Sequence, residues 1–198
     1  MMFDFLKKYD KIIVTGPQRS GTRICAKMIC HDLGKKYYSE ADVGISVWPL
    51  LKELVETKHD FVVQCPGLCR YVHTLGIRND TAVVLMRRPV KDIIRSQKRI
   101  NWHSEPEEIE RYLDTPLKDI SPPISRLKYM YWSVYQKPRL GDMAFEIEYD
   151  SLSEHPMWVP KDQRKGWTHG QTEPGKPEKF GPKEKRRGYR KRMKYEGK

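Results

Sequence analysis

The feature that most constrains this chain is the loop Thr15-Gly-Pro-Gln-Arg-Ser-Gly-Thr-Arg23, set between two segments that want different backbones. Ahead of it, Lys11-Ile-Ile-Val-Thr15 is a β-branched run stopped by Gly16-Pro17, which reads as a core strand meeting a turn. Behind it, Ile24, Cys25, Met28, Ile29 and Leu33 recur at helical spacing, and Gly34 supplies a stop. A strand–loop–helix order leaves the first N–H groups of the helix without partners, and such groups bind anions. Gly16 and Gly21 allow close backbone approach, with Pro17 and Gln18 between them. Ser20 and Thr22 add hydroxyl donors, and Arg19 and Arg23 add forked cationic donors suited to phosphate. The loop points to phosphate binding.

The rest of the chain alternates in the same way. Residues 46–57 read as a helix, 59–64 as a second core strand ended by Pro66, and 67–75 as helical. Thr81–Met86 is the clearest buried strand. Pro89 then opens a helix whose apolar face uses Val90, Ile93, Ile94 and Ile100. Segment 101–123 is acidic and carries prolines, which predicts a loop with one short helix; residues 124–136 read as a Tyr- and Trp-rich helix and 143–148 as a last strand. Strands alternating with helices imply an α/β layer structure around a mostly parallel central sheet.

Charge divides the chain. Of 198 residues and a net charge of +12, residues 161–198 contribute 14 basic against 5 acidic side chains. The expected organisation is an α/β domain over 1–160 and a basic C-terminal extension, with 161–175 as a covering loop and 176–198 as a disordered tail. Lys185–Lys194 has seven basic residues in ten, a run that attracts a polyanion such as nucleic acid as readily as it keeps a chain end solvated. No apolar run approaches the roughly 18–20 residues that span a bilayer, and no secretory signal is visible at the start. Four cysteines are too few for a disulfide framework. The expectation is a cytoplasmic protein with reduced thiols and no membrane partner. Cys25, Cys30, Cys65 and Cys69 have spacings loosely compatible with zinc, yet Cys25 falls on an apolar helix face, so no metal is expected.

The loop is not a Walker A sequence, since Thr22-Arg23 follows Gly21 where that pattern needs Lys-Ser/Thr. Pro17-Gln-Arg-Ser-Gly-Thr22 instead resembles the 5′-phosphosulfate loop of sulfotransferases that use 3′-phosphoadenosine-5′-phosphosulfate (PAPS), with Arg23 in place of a second Thr. Val84–Ser96 is similar to that family's 3′-phosphate segment: a strand-end Arg, a proline turn, then a helix bearing Ser. Arg87 holds the family's place before the proline, but Arg88 has the usual eight-residue spacing to Ser96, and both stay open. Ile147–Pro156 resembles a strand-end Tyr-Glu-x-Leu element, and Arg164-Lys165-Gly166 a late loop that closes over the nucleotide. The resemblance covers about residues 11–170. It implies a three-layer P-loop-like fold and sulfuryl transfer from PAPS to an acceptor hydroxyl, with adenosine 3′,5′-bisphosphate as product and no metal.

That resemblance casts Arg19 as the charge on the leaving phosphate and Glu40 as the general base, with Asp42 behind it. Glu40 can equally be an ordinary loop carboxylate. Gln64 stands where the family often has lysine, a departure that weighs against full catalytic competence. Two other functions fit a chain of this kind. One is a P-loop nucleotide or nucleoside kinase; the other is a non-catalytic nucleotide fold that serves as scaffold for a polyanion-binding tail. Tyr129, Tyr131, Trp132 and Tyr135 read as helix packing or as a lining for the acceptor.

Overall fold

A computed structural model of the chain describes residues 1–40, 48–99 and 124–160. Five strands form one sheet: β1 (Lys11–Thr15), β2 (Lys36–Tyr38), β3 (Phe61–Gln64), β4 (Thr81–Arg87) and β5 (Ala144–Glu148). Their order is β2-β3-β1-β4-β5, and every pairing is parallel. The sheet expected to be mostly parallel is therefore parallel throughout. Among the described residues the α-helices are α1 (Thr22–Leu33), α2 (Trp48–Thr57), α3 (Val90–Arg99), α4 (Ile124–Tyr131) and a one-turn α5 (Lys137–Leu140).

Strand periodicity builds the layers. Side chains alternate faces, so Ile12, Val14, Val62, Ala82, Val84 and Met86 share one face with Cys25, Met28 and Ile29 of α1 and with Phe3 and Leu6. Ile13, Val63, Val83 and Leu85 point the other way, toward Leu51 and Leu54 of α2, Ile93 of α3 and Trp132. The central strands are buried along their length up to Arg87 at the end of β4, as expected of a parallel sheet covered on both sides. The result is the three-layer, P-loop-like α/β fold.

Three local features depart from the sequence reading. β2 was not legible: it has three residues, lies at an edge, and only Tyr38 in it is buried. The stretch read as one helix at 67–75 is two 3-10 turns, Pro66–Arg70 and Val72–Leu75, divided at Tyr71. The helix read at 124–136 is α-helical only to Tyr131 and then opens into a π turn over Trp132–Gln136. That wider turn lets both Trp132 and Gln136 reach the interior, each with no exposed surface. Segment 101–123, Ile100, and the extension from residue 161 lie outside the described residues. Among the described residues no helix is long and apolar enough to cross a membrane.

Trp132 closes the α4 side of the core, and its Nε1 donates to Glu146 Oε1 at 3.2 Å. Glu146 also receives Arg87 Nε and, at 3.0 Å, Lys137 Nζ, so one carboxylate ties β4, β5, the π turn and α5 together. Trp132→Ala leaves a large cavity and is expected to cost about 3–5 kcal/mol in urea-induced unfolding.

Candidate functional site

Parallel strands all end at one edge of the sheet, and that edge collects the loop. β1 sends its chain toward β2, while its neighbour β4 sends its chain toward β5. Divergence of that kind opens a crevice at the carboxyl ends of the two strands, where α/β folds bind ligands. The predicted anion loop sits there.

Its backbone is tightly held. Gly16 has φ +144° and Gly21 φ +102°, both in the region that favours glycine. A Cβ on Gly16 would lie 2.8 Å from Ser20 Oγ and 2.9 Å from the Met86 carbonyl. One on Gly21 would lie 2.5 Å from the Tyr149 ring. Between them Arg19 itself adopts φ +74°, an uncommon conformation for a residue with a side chain. Thr15 Oγ1 donates to the Cys65 carbonyl at 2.9 Å and anchors the loop's entry to the β3 exit. Gly21 is the N-cap of α1 and offers no side-chain cap; no acidic residue occupies the first turn. Ser20 Oγ is buried without a hydrogen-bond partner among the described residues. Helix N–H groups free of a side-chain cap, a glycine cradle and an orphaned hydroxyl together suit an anion.

The predicted residues separate into two groups. Arg19 Nε donates to Ser96 Oγ on α3 at 3.1 Å, and Arg88 Nη1 donates to the Arg19 carbonyl at 2.9 Å. Arg19, Arg88 and Ser96 therefore meet at one place, although 77 positions separate Arg19 from Ser96. Arg88 is held by the Tyr149 ring, 4.1 Å from its guanidinium, and its N–H donates to Tyr129 Oη. Arg87 goes elsewhere. It is engaged by Glu146, stands 5.5 Å from the centre of the Tyr129 ring, and is held more firmly protonated by that carboxylate. Of the two candidates left open by the sequence, Arg88 is the one on the loop. Arg164, Lys165, Gly166 and Asp42 fall outside the described residues.

Glu40 is on the opposite flank. Gln64 Nε2 donates to Thr22 Oγ1 at 3.1 Å, and Gln64 also hydrogen-bonds the Glu40 carboxyl. Burial pushes Glu40 up to about 7, against the Gln64 hydrogen bond and the charges of Arg23 and Lys128, which favour ionisation. Gln64, a departure at the sequence level, is thus the bridge between the loop and the carboxyl. Lys128 of α4 was not singled out beforehand; its Nζ donates to Gln18 Oε1 at 2.5 Å. Tyr149, within the strand-end Tyr-Glu-x-Leu resemblance, packs on Gly21, stacks on Arg88 and meets Trp158 edge-on at 5.4 Å. Its position at a strand end was the available signal.

Cys25, Cys30, Cys65 and Cys69 form no disulfide among the described residues. Burial raises Cys25 far above its ordinary value, Cys30 to about 12 and Cys69 to about 11, so none of these three is a ready thiolate. A different trio, His31, Asp32 and His155, places three possible ligand atoms within 4.8 Å. The Met157 N–H donates to His155 Nδ1, which puts the proton of the neutral ring on Nε2, facing Asp32 Oδ1 at 3.0 Å. That proton occupies the lone-pair position a metal would need. The pair reads as a clasp between α1 and the chain after β5.

No protein-family model matches the chain, and no curated protein matches it. Solved structures match at low identity. A shikimate kinase from Acinetobacter baumannii, in complex with shikimate, is 15% identical over 73% of this chain and 86% of that one, with a TM-score of 0.45. A sugar kinase from Janibacter is 14% identical over 71% and 85%, at 0.43. A shikimate kinase from Aquifex aeolicus is 16% identical over 66% and 99%, at 0.36. Likeness of this degree says nothing of a substrate or a reaction.

Glu40 gives a pH-dependent signature. Its folded-state value lies above the ordinary 4.5, so its contribution to stability is complete below about 4.5 and is lost as pH rises through about 7. In parallel denaturation series, wild type is expected to lose stability relative to Glu40→Gln between those two pH values and to run parallel to it above and below.

Proposed function

We propose that the chain is a group transferase that holds a nucleotide donor on the β1–α1 loop, and that the group it transfers is sulfuryl, from PAPS to an acceptor hydroxyl. One observation carries the reading: Arg19, Arg88 and Ser96 meet beside an anion cradle that has no Walker lysine. A bisphosphate donor needs two anion sites joined by one crevice. The glycine-bounded loop, Ser20 Oγ and the α1 N-terminus suit the 5′ group. Arg88 and Ser96 suit the 3′-phosphate.

In this reading the acceptor oxygen forms a bond to sulfur while the bond from sulfur to the bridging phosphate oxygen breaks. Adenosine 3′,5′-bisphosphate leaves with the electron pair of that bond, and its growing charge is met by Arg19, Thr22 and the loop N–H groups. The acceptor proton passes to the Glu40 carboxylate. A base near 7 is well matched to neutral pH: it is substantially ionised, yet basic enough to take a proton. Gln64 holds that carboxyl against the loop.

Phosphoryl transfer from a nucleoside triphosphate is the second reading. A parallel sheet with an anion loop after β1 serves phosphoryl donors equally well, and the solved structures named above are kinases. What opposes it is Thr22-Arg23 in place of Lys-Ser/Thr.

Isothermal titration with adenosine 3′,5′-bisphosphate and with magnesium–ATP separates the two. Micromolar or tighter binding of the bisphosphate is expected, weakened about tenfold or more by Arg19→Ala and by Arg88→Ala, and much less by Arg87→Ala. Tight magnesium–ATP binding with indifference to the bisphosphate gives the site to phosphoryl transfer. With an acceptor in hand, Glu40→Gln is expected to lower kcat by about 10²–10⁴-fold while leaving bisphosphate affinity near wild type.

A further inference from the structure

We infer that the outer face of α4 and the π turn after it is a binding strip for single-stranded nucleic acid, with bases stacking on Tyr131 and Tyr135. This does not depend on the donor chemistry proposed above. The two rings lie nearly parallel, 4.6 Å apart and inclined by 25°, and remain 37% and 45% exposed. Met130 and Val134 beside them are each 59% exposed. The π turn sets this up: it sends Trp132 and Gln136 inward and leaves Ser133, Val134 and Tyr135 outside. Arg139 follows one turn on, its guanidinium 5.5 Å from the centre of the Tyr135 ring and its Nη1 donating to the Tyr135 carbonyl at 2.9 Å.

Charge selects the occupant. Residues 124–140 include Arg126, Lys128, Lys137 and Arg139 and contain no Asp or Glu. Lys137 already pairs with Glu146, but Arg126 and Arg139 are on the surface. Four cations and no carboxylate along 124–140 favour an anionic occupant over an uncharged one. A single strand offers a planar face and an anion at each repeat, which is what stacked aromatics flanked by cations take. A duplex keeps its bases stacked inside and cannot use the rings. At its upper end the strip reaches Lys128, whose Nζ touches Gln18 of the anion loop. From Lys128 to Arg139 is about 16 Å along a helix.

The test is fluorescence anisotropy of the full chain with fluorescein-labelled 15-mer oligo(dT), with a 15-base-pair duplex and a heparin fragment as comparisons. Wild type is expected to bind the single strand. Tyr131→Ala with Tyr135→Ala should weaken that binding about tenfold to a hundredfold at fixed salt, with much smaller effects on duplex and heparin. Arg139→Gln should flatten the slope of log affinity against log salt by about 0.7. Both tyrosines are surface residues, and unchanged circular dichroism checks that the variants fold. The inference is overturned if wild type does not bind the single strand, or if the double variant binds it as wild type does. Equal losses for heparin and for the oligonucleotide would overturn it too. So would a wild-type dimer that the double variant dissolves in analytical ultracentrifugation, since a second copy would then own this face.

Discussion

The site depends on how closely the backbone at Gly16 and Gly21 approaches its neighbours. At Gly16 the neighbours are the Met86 carbonyl of β4 and Ser20 Oγ; at Gly21 it is the ring of Tyr149, just past β5. A methyl group at either point would push the loop away from the sheet edge, and the positive φ values add strain for any other residue. With these contacts in place, the first turn of α1 is fixed relative to two strands that the chain reaches much later. The local rule that helix N-termini attract anions thereby becomes a tertiary arrangement in which Arg88, just past β4, and a hydroxyl from α3 share the loop's surroundings.

Two carboxylates show how one residue type serves opposite ends. Glu146 is surrounded by Arg87, Lys137 and Trp132; burial alone would raise it, but these partners hold it below the ordinary value. It is a structural tie, and it removes Arg87 from the crevice. Glu40 has a hydrogen bond from Gln64 and the charges of Arg23 and Lys128 nearby, and burial outweighs them. A carboxyl whose burial outweighs its partners is costly to ionise, and such groups recur at reactive sites.

How much of this was readable from the sequence follows from the range of the forces involved. β1, β4 and α1 announced themselves because each buries a periodic set of apolar side chains, and the loop announced itself through Gly, Ser and Arg at fixed spacing. β2 did not, because three residues at a sheet edge carry no period. The π turn did not, because an i+5 backbone pattern leaves no mark in a sequence that alternates Tyr, Trp and Val. The choice between Arg87 and Arg88 was beyond spacing arguments: it is decided by Glu146 and Tyr149, which lie about sixty positions away and become neighbours only when β5 pairs with β4. For the same reason Gln64 looked like a lost lysine, and only its contacts with Thr22 and Glu40 give it a place at the site.

The aromatic relay Arg88–Tyr149–Trp158 has a topological consequence. Trp158 meets the same ring that closes against Gly21, so the last described residues stand one side chain away from the loop. A change to the Tyr149 ring therefore acts at once on the loop's approach at Gly21, on the seat of Arg88 and on the chain that follows β5.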